Sequence, residues 1–186
     1  MKSGEGKKDL IFLTGFMGSG KSTIGAILAN TIGYQFVDLD LFIEQSTDMK
    51  ISEIFREKGE AHFRALEQKI IQELVQGSRV VISLGGGTTT HRPTLDLIKS
   101  SGILVYLKAD TEHLLRRLRS KTGRPLLKDE QGNLLDVEHL QQRIEEMVEK
   151  RKEYYEQAQL IVHTDDKKIG FTVDELAKKL RHYVTF

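Results

Sequence analysis

Cysteine is absent from this chain of 186 residues, so neither a disulfide framework nor a thiolate metal site is open to it. That absence fits a reducing compartment. No excess of charge of either sign is present: 28 basic side chains stand against 27 acidic ones, for a formal net charge of +1. Such a balance gives no general reason to expect nucleic acid or an anionic membrane as a partner. Long apolar runs are missing as well. The opening Met1-Lys2-Ser3-Gly4-Glu5-Gly6-Lys7-Lys8 is polar, and the few apolar residues after it are too short a stretch for a secretory leader or a membrane span. A soluble, cytoplasmic protein is the expectation. Repeats, low-complexity tracts and interdomain linkers are also lacking, and the length suits one domain over residues 1–186 with a full core.

What is present is more specific. Gly15-Phe16-Met17-Gly18-Ser19-Gly20-Lys21-Ser22 satisfies the phosphate-binding pattern G-x-x-x-x-G-K-[ST] at every fixed position. The apolar run Leu10-Ile11-Phe12-Leu13 precedes it and reads as a buried parallel strand. Thr23 to Asn30 follows with Ile24, Ile27 and Leu28 at helical spacing. Strand, glycine loop and helix together make a nucleotide site: backbone amides and the positive end of the helix cradle a polyphosphate. Lys21 is expected to reach the β- and γ-phosphates, and Ser22 to place its hydroxyl on Mg²⁺.

Further along, strands and helices alternate. Strands are predicted at 34–37, 79–84, 103–107 and 160–162. Helices are predicted near 41–46, 51–76, 93–100, 111–120, 136–157 and 172–183, with a loop rich in charge, glycine and proline at 121–135. This alternation implies an α/β fold, a parallel sheet covered on both faces, with ligands beyond the carboxyl ends of the strands.

Several residues at those ends invite chemistry. Asp38 and Asp40 can divide two jobs, one helping to hold Mg²⁺ and the other bonding an acceptor hydroxyl; a helix N-cap with a first-turn acid is the plainer reading. Arg64 can fork onto a substrate carboxylate, or simply pair with Glu60 or Glu67 on its own helix. Gly85-Gly86-Gly87 lets a ligand press against backbone amides, unless it is only a flexible turn. Arg124-Pro125-Leu126-Leu127 lies in the polar loop, which can fold over a nucleotide or remain solvated. Nothing physical singles out Arg151 from the other charges on its helix.

Gly15 to Thr23, Asp38-Leu39-Asp40, Phe63-Arg64-x-x-Glu67, Gly85-Gly86-Gly87, Arg124-Pro125-Leu126-Leu127 and Arg151-x-x-x-Tyr155 occur in the order that marks the shikimate kinase family, and the chain resembles that family from about residue 9 to 183. The resemblance implies a single-domain P-loop kinase fold with a five-stranded parallel sheet, helices on both faces and a mobile lid at about 121–135. It implies ATP-dependent phosphorylation of the 3-hydroxyl of shikimate, giving shikimate 3-phosphate and ADP in chorismate and aromatic amino-acid biosynthesis, with Mg²⁺ as cofactor. By position, Lys21 with Gly18, Ser19, Gly20, Ser22 and Thr23 holds phosphates, and Ser22 with Asp38 serves Mg²⁺. Asp40 binds the acceptor hydroxyls and acts as base. Arg64, Arg151, Gly86 and Gly87 grip shikimate, the two arginines taking its carboxylate. Arg124 comes from the lid, Arg119 stacks on adenine, and an adenosine-contacting loop falls around Thr164 to Lys168, Asp165 included. A monomer is the family's habit. The segment Lys128-Asp129-Glu130-Gln131-Gly132-Asn133 extends the lid beyond the family's pattern.

Three other readings share the P-loop. A gluconate kinase would keep the sheet and recognise another polyol acid. A nucleoside-monophosphate kinase would need several arginines for an acceptor phosphate and have less use for Asp40. A non-catalytic nucleotide switch would bind without turnover.

Overall fold

Five consecutive residues of β1 (Leu10–Thr14) are buried, the pattern of a parallel strand covered on both faces rather than on one. The computed structural model describes residues 9–119, 135–165 and 167–186. After β1 come α1 (Lys21–Ile32), β2 (Gln35–Asp38), α2 (Leu39–Thr47), α3 (Ile51–Leu74) and β3 (Val80–Ser83). A 3₁₀ turn (Thr88–Thr90), α4 (Arg92–Ser101), β4 (Ile103–Lys108), α5 (Thr111–Arg119), α6 (Val137–Tyr155), β5 (Leu160–His163) and α7 (Ile169–Leu180) complete the order. The strands pair in parallel as β2-β3-β1-β4-β5. The expected five-stranded parallel sheet is therefore present.

Alternation along β1 divides the core. Ile11 and Leu13 pack with Ile24 and Leu28 of α1 and Val173, Leu176 and Leu180 of α7. Leu10 and Phe12 turn the other way, onto Ile70 and Ile71 of α3 and Leu95 and Ile98 of α4. A third cluster, with Phe16, Leu114, Leu118, Leu140 and Ile144, seats α5 and α6 beside the loop after β1. No described helix is long and apolar enough to cross a membrane.

Strand order fixes where a ligand sits. The chain leaves β1 toward β2 on one side, whereas it leaves β3 toward β4 on the other side of β1. Adjacent strands whose connections run opposite ways open a crevice at their carboxyl ends. Here those ends carry the P-loop and the triple glycine.

One helix differs from expectation. The span 51–76, read as a single helix, is two helical segments joined at Gly59, whose φ of 79° and ψ of 170° lie outside helical geometry. Glycine tolerates that conformation where a side chain would strain. Arg64 and Glu67 thus sit on a segment with its own direction.

Candidate active site

The P-loop runs from the end of β1 into the first turn of α1. Gly18 and Gly20 have φ of 87° and 100°, in the left-handed region that other residues rarely enter. Gly20 caps α1 without a side-chain bond, so the first amides of the helix remain available to an anion. Lys21 Nζ donates to the carbonyls of Gly15 at 2.8 Å and Phe16 at 3.2 Å, which holds its ammonium over the loop. Ser19 is fully buried, and its Oγ has no hydrogen-bond partner among the described residues. A buried hydroxyl left so is costly unless a ligand completes it.

Ser22 Oγ donates to Asp38 Oδ2 at 2.6 Å, bringing two hard oxygen donors together as Mg²⁺ prefers. Asp38 Oδ1 also accepts from Leu41 N at 3.4 Å as the N-cap of α2. The N-cap reading of this aspartate therefore holds, and the capped carboxylate faces Ser22. Asp40, in the first turn of α2, is half-buried. Burial first, then the charge of Asp38, raises its pKa to about 6; Lys21 opposes the shift, while Glu67 and Glu44 add to it.

Each glycine after β3 looks onto a different polar side chain. A Cβ at Gly85 would come 2.8 Å from Asp40 Oδ1, one at Gly86 3.3 Å from Arg151 Nη1, and one at Gly87 2.8 Å from Arg64 Nη2. A side chain at any of the three would crowd these polar groups, which glycine leaves in place. Arg64 makes both of the ion pairs expected of it, to Glu60 at 3.2 Å and to Glu67 at 2.8 Å. The pairing foreseen for a helix-surface arginine is therefore present, and Nη2 of the same guanidinium faces Gly87. Glu67 is almost fully buried, and its other oxygen accepts from Thr88 Oγ1 at 2.5 Å.

A cavity of about 690 Å³ spans the crevice. Its lining includes Lys21, Ser22, Asp38, Asp40 and Gly86 together with Arg117, Thr164 and Lys167. Arg64, Gly87 and Arg151 do not line it, nor do two residues expected to contact the nucleotide. Arg119 is exposed and absent from the cavity wall; Arg117 stands there instead, donating to the carbonyls of Gly18 at 3.3 Å and Thr164 at 2.5 Å. Two helical steps rotate a side chain by about 200°, so these arginines leave opposite flanks of the Leu114, Leu115 and Leu118 stripe. Asp165 does not line the cavity either. Its Oδ1 accepts from Asp110 N at 3.1 Å and lies 3.5 Å from His113 Nδ1, so the carboxylate is spent on the start of α5. Arg124 and the lid through residue 134 lie outside the described residues.

Reasoning on sequence missed Arg117, the burial of Glu67, and Tyr155 as a partner of the glycine loop. A leucine stripe flanked by an arginine three residues after Leu114 was the available signal for the first. The last two depend on contacts between distant segments, which spacing does not disclose.

The model of the family described as shikimate kinase matches residues 17–181. A shikimate kinase of Chlorobium chlorochromatii is 49% identical over 175 residues, covering 94% of this chain and 92% of that protein. One from Chlorobium phaeovibrioides is 48% identical over 180 residues, with 97% and 91% covered. Among solved structures, a shikimate kinase from Bacteroides thetaiotaomicron superposes with a TM-score of 0.85 at 36% identity, over 93% of this chain and 98% of that one. A shikimate kinase from Acinetobacter baumannii in complex with shikimate gives 0.79 at 32% identity, over 94% and 92%.

Proposed function

The chain belongs to the shikimate kinase family, and we propose on that footing the chemistry its residues perform. The enzyme transfers the γ-phosphoryl of ATP to the 3-hydroxyl of shikimate, giving shikimate 3-phosphate and ADP. One observation carries the assignment of the acceptor: the three glycines beside the P-loop press against Asp40, Arg151 and Arg64 respectively. That set offers one carboxylate for a hydroxyl and two guanidinium forks for a carboxylate, which is what a small hydroxylated acid needs.

The steps follow from the residues. Gly18, Ser19, Gly20 and Thr23 with Lys21 and Ser22 hold the triphosphate in the loop, and the idle hydroxyl of Ser19 supports an oxygen-rich ligand there. Arg64, Arg151 and the Gly86 and Gly87 backbone orient the acid. Asp40 takes the 3-hydroxyl proton as the O–P bond forms and the bond to ADP breaks. A pKa near 6 leaves it ionised at neutral pH yet more basic than an ordinary carboxylate. Ser22 and Asp38 would hold Mg²⁺, which neutralises phosphate oxygens when bound. Lys21 supplies further positive charge, and Arg124, assigned on the family motif alone, supplies the rest from the lid. The protein acts as a cytoplasmic monomer without nucleic-acid or membrane partners.

Release of ADP measured separately with shikimate, gluconate and AMP tests this reading. Turnover with shikimate alone is the expected result. Turnover with either of the others in its place, or nucleotide binding without turnover, would overturn it.

A further inference from the structure

The carbonyls of the triple glycine are all tied down, but not in the same way. Gly85 O accepts from Thr88 N at 3.2 Å, and Gly87 O accepts from Thr90 N at 3.1 Å and Thr90 Oγ1 at 2.7 Å. Gly86 O has no backbone donor among the described residues. Its partners are two side chains of α6: Tyr155 Oη at 2.6 Å and Arg151 Nη1 at 3.1 Å. These residues are one helical turn apart and reach the same oxygen from one face.

The two donors are unequal. Arg151 is only partly buried and is assigned to the carboxylate of the acid, so its bond to Gly86 O competes with ligand. Tyr155 is fully buried, with its ring centroid 5.0 Å from that of Tyr106. A packed ring holds its hydroxyl where it is. Burial also raises its pKa above the ordinary phenol value, so it stays a donor throughout the working range.

A planar trans peptide couples the two sides of this bond. The carbonyl of Gly86 and the N–H of Gly87 share one plane and point opposite ways. Holding the carbonyl toward α6 therefore aims the Gly87 N–H away from α6. Among the described residues that N–H donates to no acceptor. Between two glycines nothing intrinsic resists rotation of the peptide, so the restraint has to come from elsewhere.

We propose that Tyr155 is a positioning residue for the acceptor: its hydroxyl fixes the Gly86–Gly87 peptide so that the amide meets shikimate, and it releases Arg151 to grip the carboxylate. This rests on the shikimate reading above. The phenol touches neither substrate nor nucleotide and acts through the loop.

Tyr155→Phe keeps the ring and removes the bond. Its KM for shikimate is expected to rise about three- to tenfold, the worth of one hydrogen bond, with KM for ATP within twofold of wild type and kcat much less affected. Tyr106→Phe removes a hydroxyl from the same packed pair without touching Gly86 O, and leaves both constants unchanged. An unaltered shikimate KM in Y155F, or shikimate and ATP constants rising together, overturns the proposal. Should Y155F fail to fold, 3-fluorotyrosine placed at 155 keeps the shape and strengthens the donor. It is then expected to lower the shikimate KM alone, and no change would count against the idea. Wild-type enzyme that ignores shikimate would sink the acceptor assignment and this proposal with it, whereas normal wild-type turnover with a silent Y155F removes only Tyr155.

Discussion

At the scale of single residues, Asp40 gives the sharpest expectation. If its carboxylate accepts the proton, kcat/KM for shikimate should climb with pH through about 6 and then level off. Asp40→Asn is expected to lower kcat by about 10²- to 10⁴-fold while the KM for ATP changes little; a variant with near-normal turnover would show that no base is needed there. The same group has a cost for the fold. A carboxyl with its pKa raised in the folded chain binds its proton more tightly there than when unfolded. Stability therefore falls as pH rises from about 4 toward 6 and stays lower above that. D40N should escape this loss and melt higher than wild type at pH 7, by about 2 kcal/mol once its partial exposure is allowed for. Arg64→Lys removes a fork but keeps a charge, so the shikimate KM is expected to rise at least tenfold with the ATP KM intact. Equal losses for both ligands would contradict a carboxylate clamp. These residues were legible because each stands in a short motif whose backbone demands are local. Asp38 caps α2 and faces Ser22 at once, so the N-cap reading and the proposed Mg²⁺ role do not exclude each other.

At the scale of elements, legibility ends where a helix chooses its flank. The basic run in α5 announces arginines but not which one faces the nucleotide. Leu114, Leu115 and Leu118 bury one stripe, and Arg117 leaves it on the side of Gly18 and Thr164. Arg117→Ala is thus expected to raise the KM for ATP severalfold, while Arg119→Ala leaves it within twofold of wild type. Titration of both variants with ATP would settle the matter, and the reverse pattern would restore Arg119. The break at Gly59 was hidden for a related reason. An isolated glycine in a helical pattern is usually tolerated, and only its φ of 79° shows that the helix changes course. Element existence and type followed the apolar period closely. The closing helix, expected at 172–183, runs Ile169–Leu180, a shift at the ends where fraying blurs any boundary.

For the molecule as a whole, the alternation of strand and helix predicted the layered architecture and its five strands, and the resemblance implied the same number. The order β2-β3-β1-β4-β5 depends on which strands pair, and no local pattern encodes that. Its centre is β1, whose Phe12 is fully buried among side chains from several elements. Phe12→Ala is expected to cost about 3 to 5 kcal/mol in a denaturant melt. A loss under 1 kcal/mol would mean the middle of the sheet repacks with ease. The central strand also splits the labour of the catalyst. In the proposed reading, residues for the acid come chiefly from the end of β3 and the helices between β2 and β3, whereas α5 and the segment after β5 add Arg117, Thr164 and Lys167 to the cavity lining. Exchanging the α2–α3 region for that of a kinase with another acceptor could redirect the enzyme and leave its handling of ATP in place. Arg151 and Tyr155 cross that divide from α6, so any such chimera would have to carry the end of α6 along with the transplanted half.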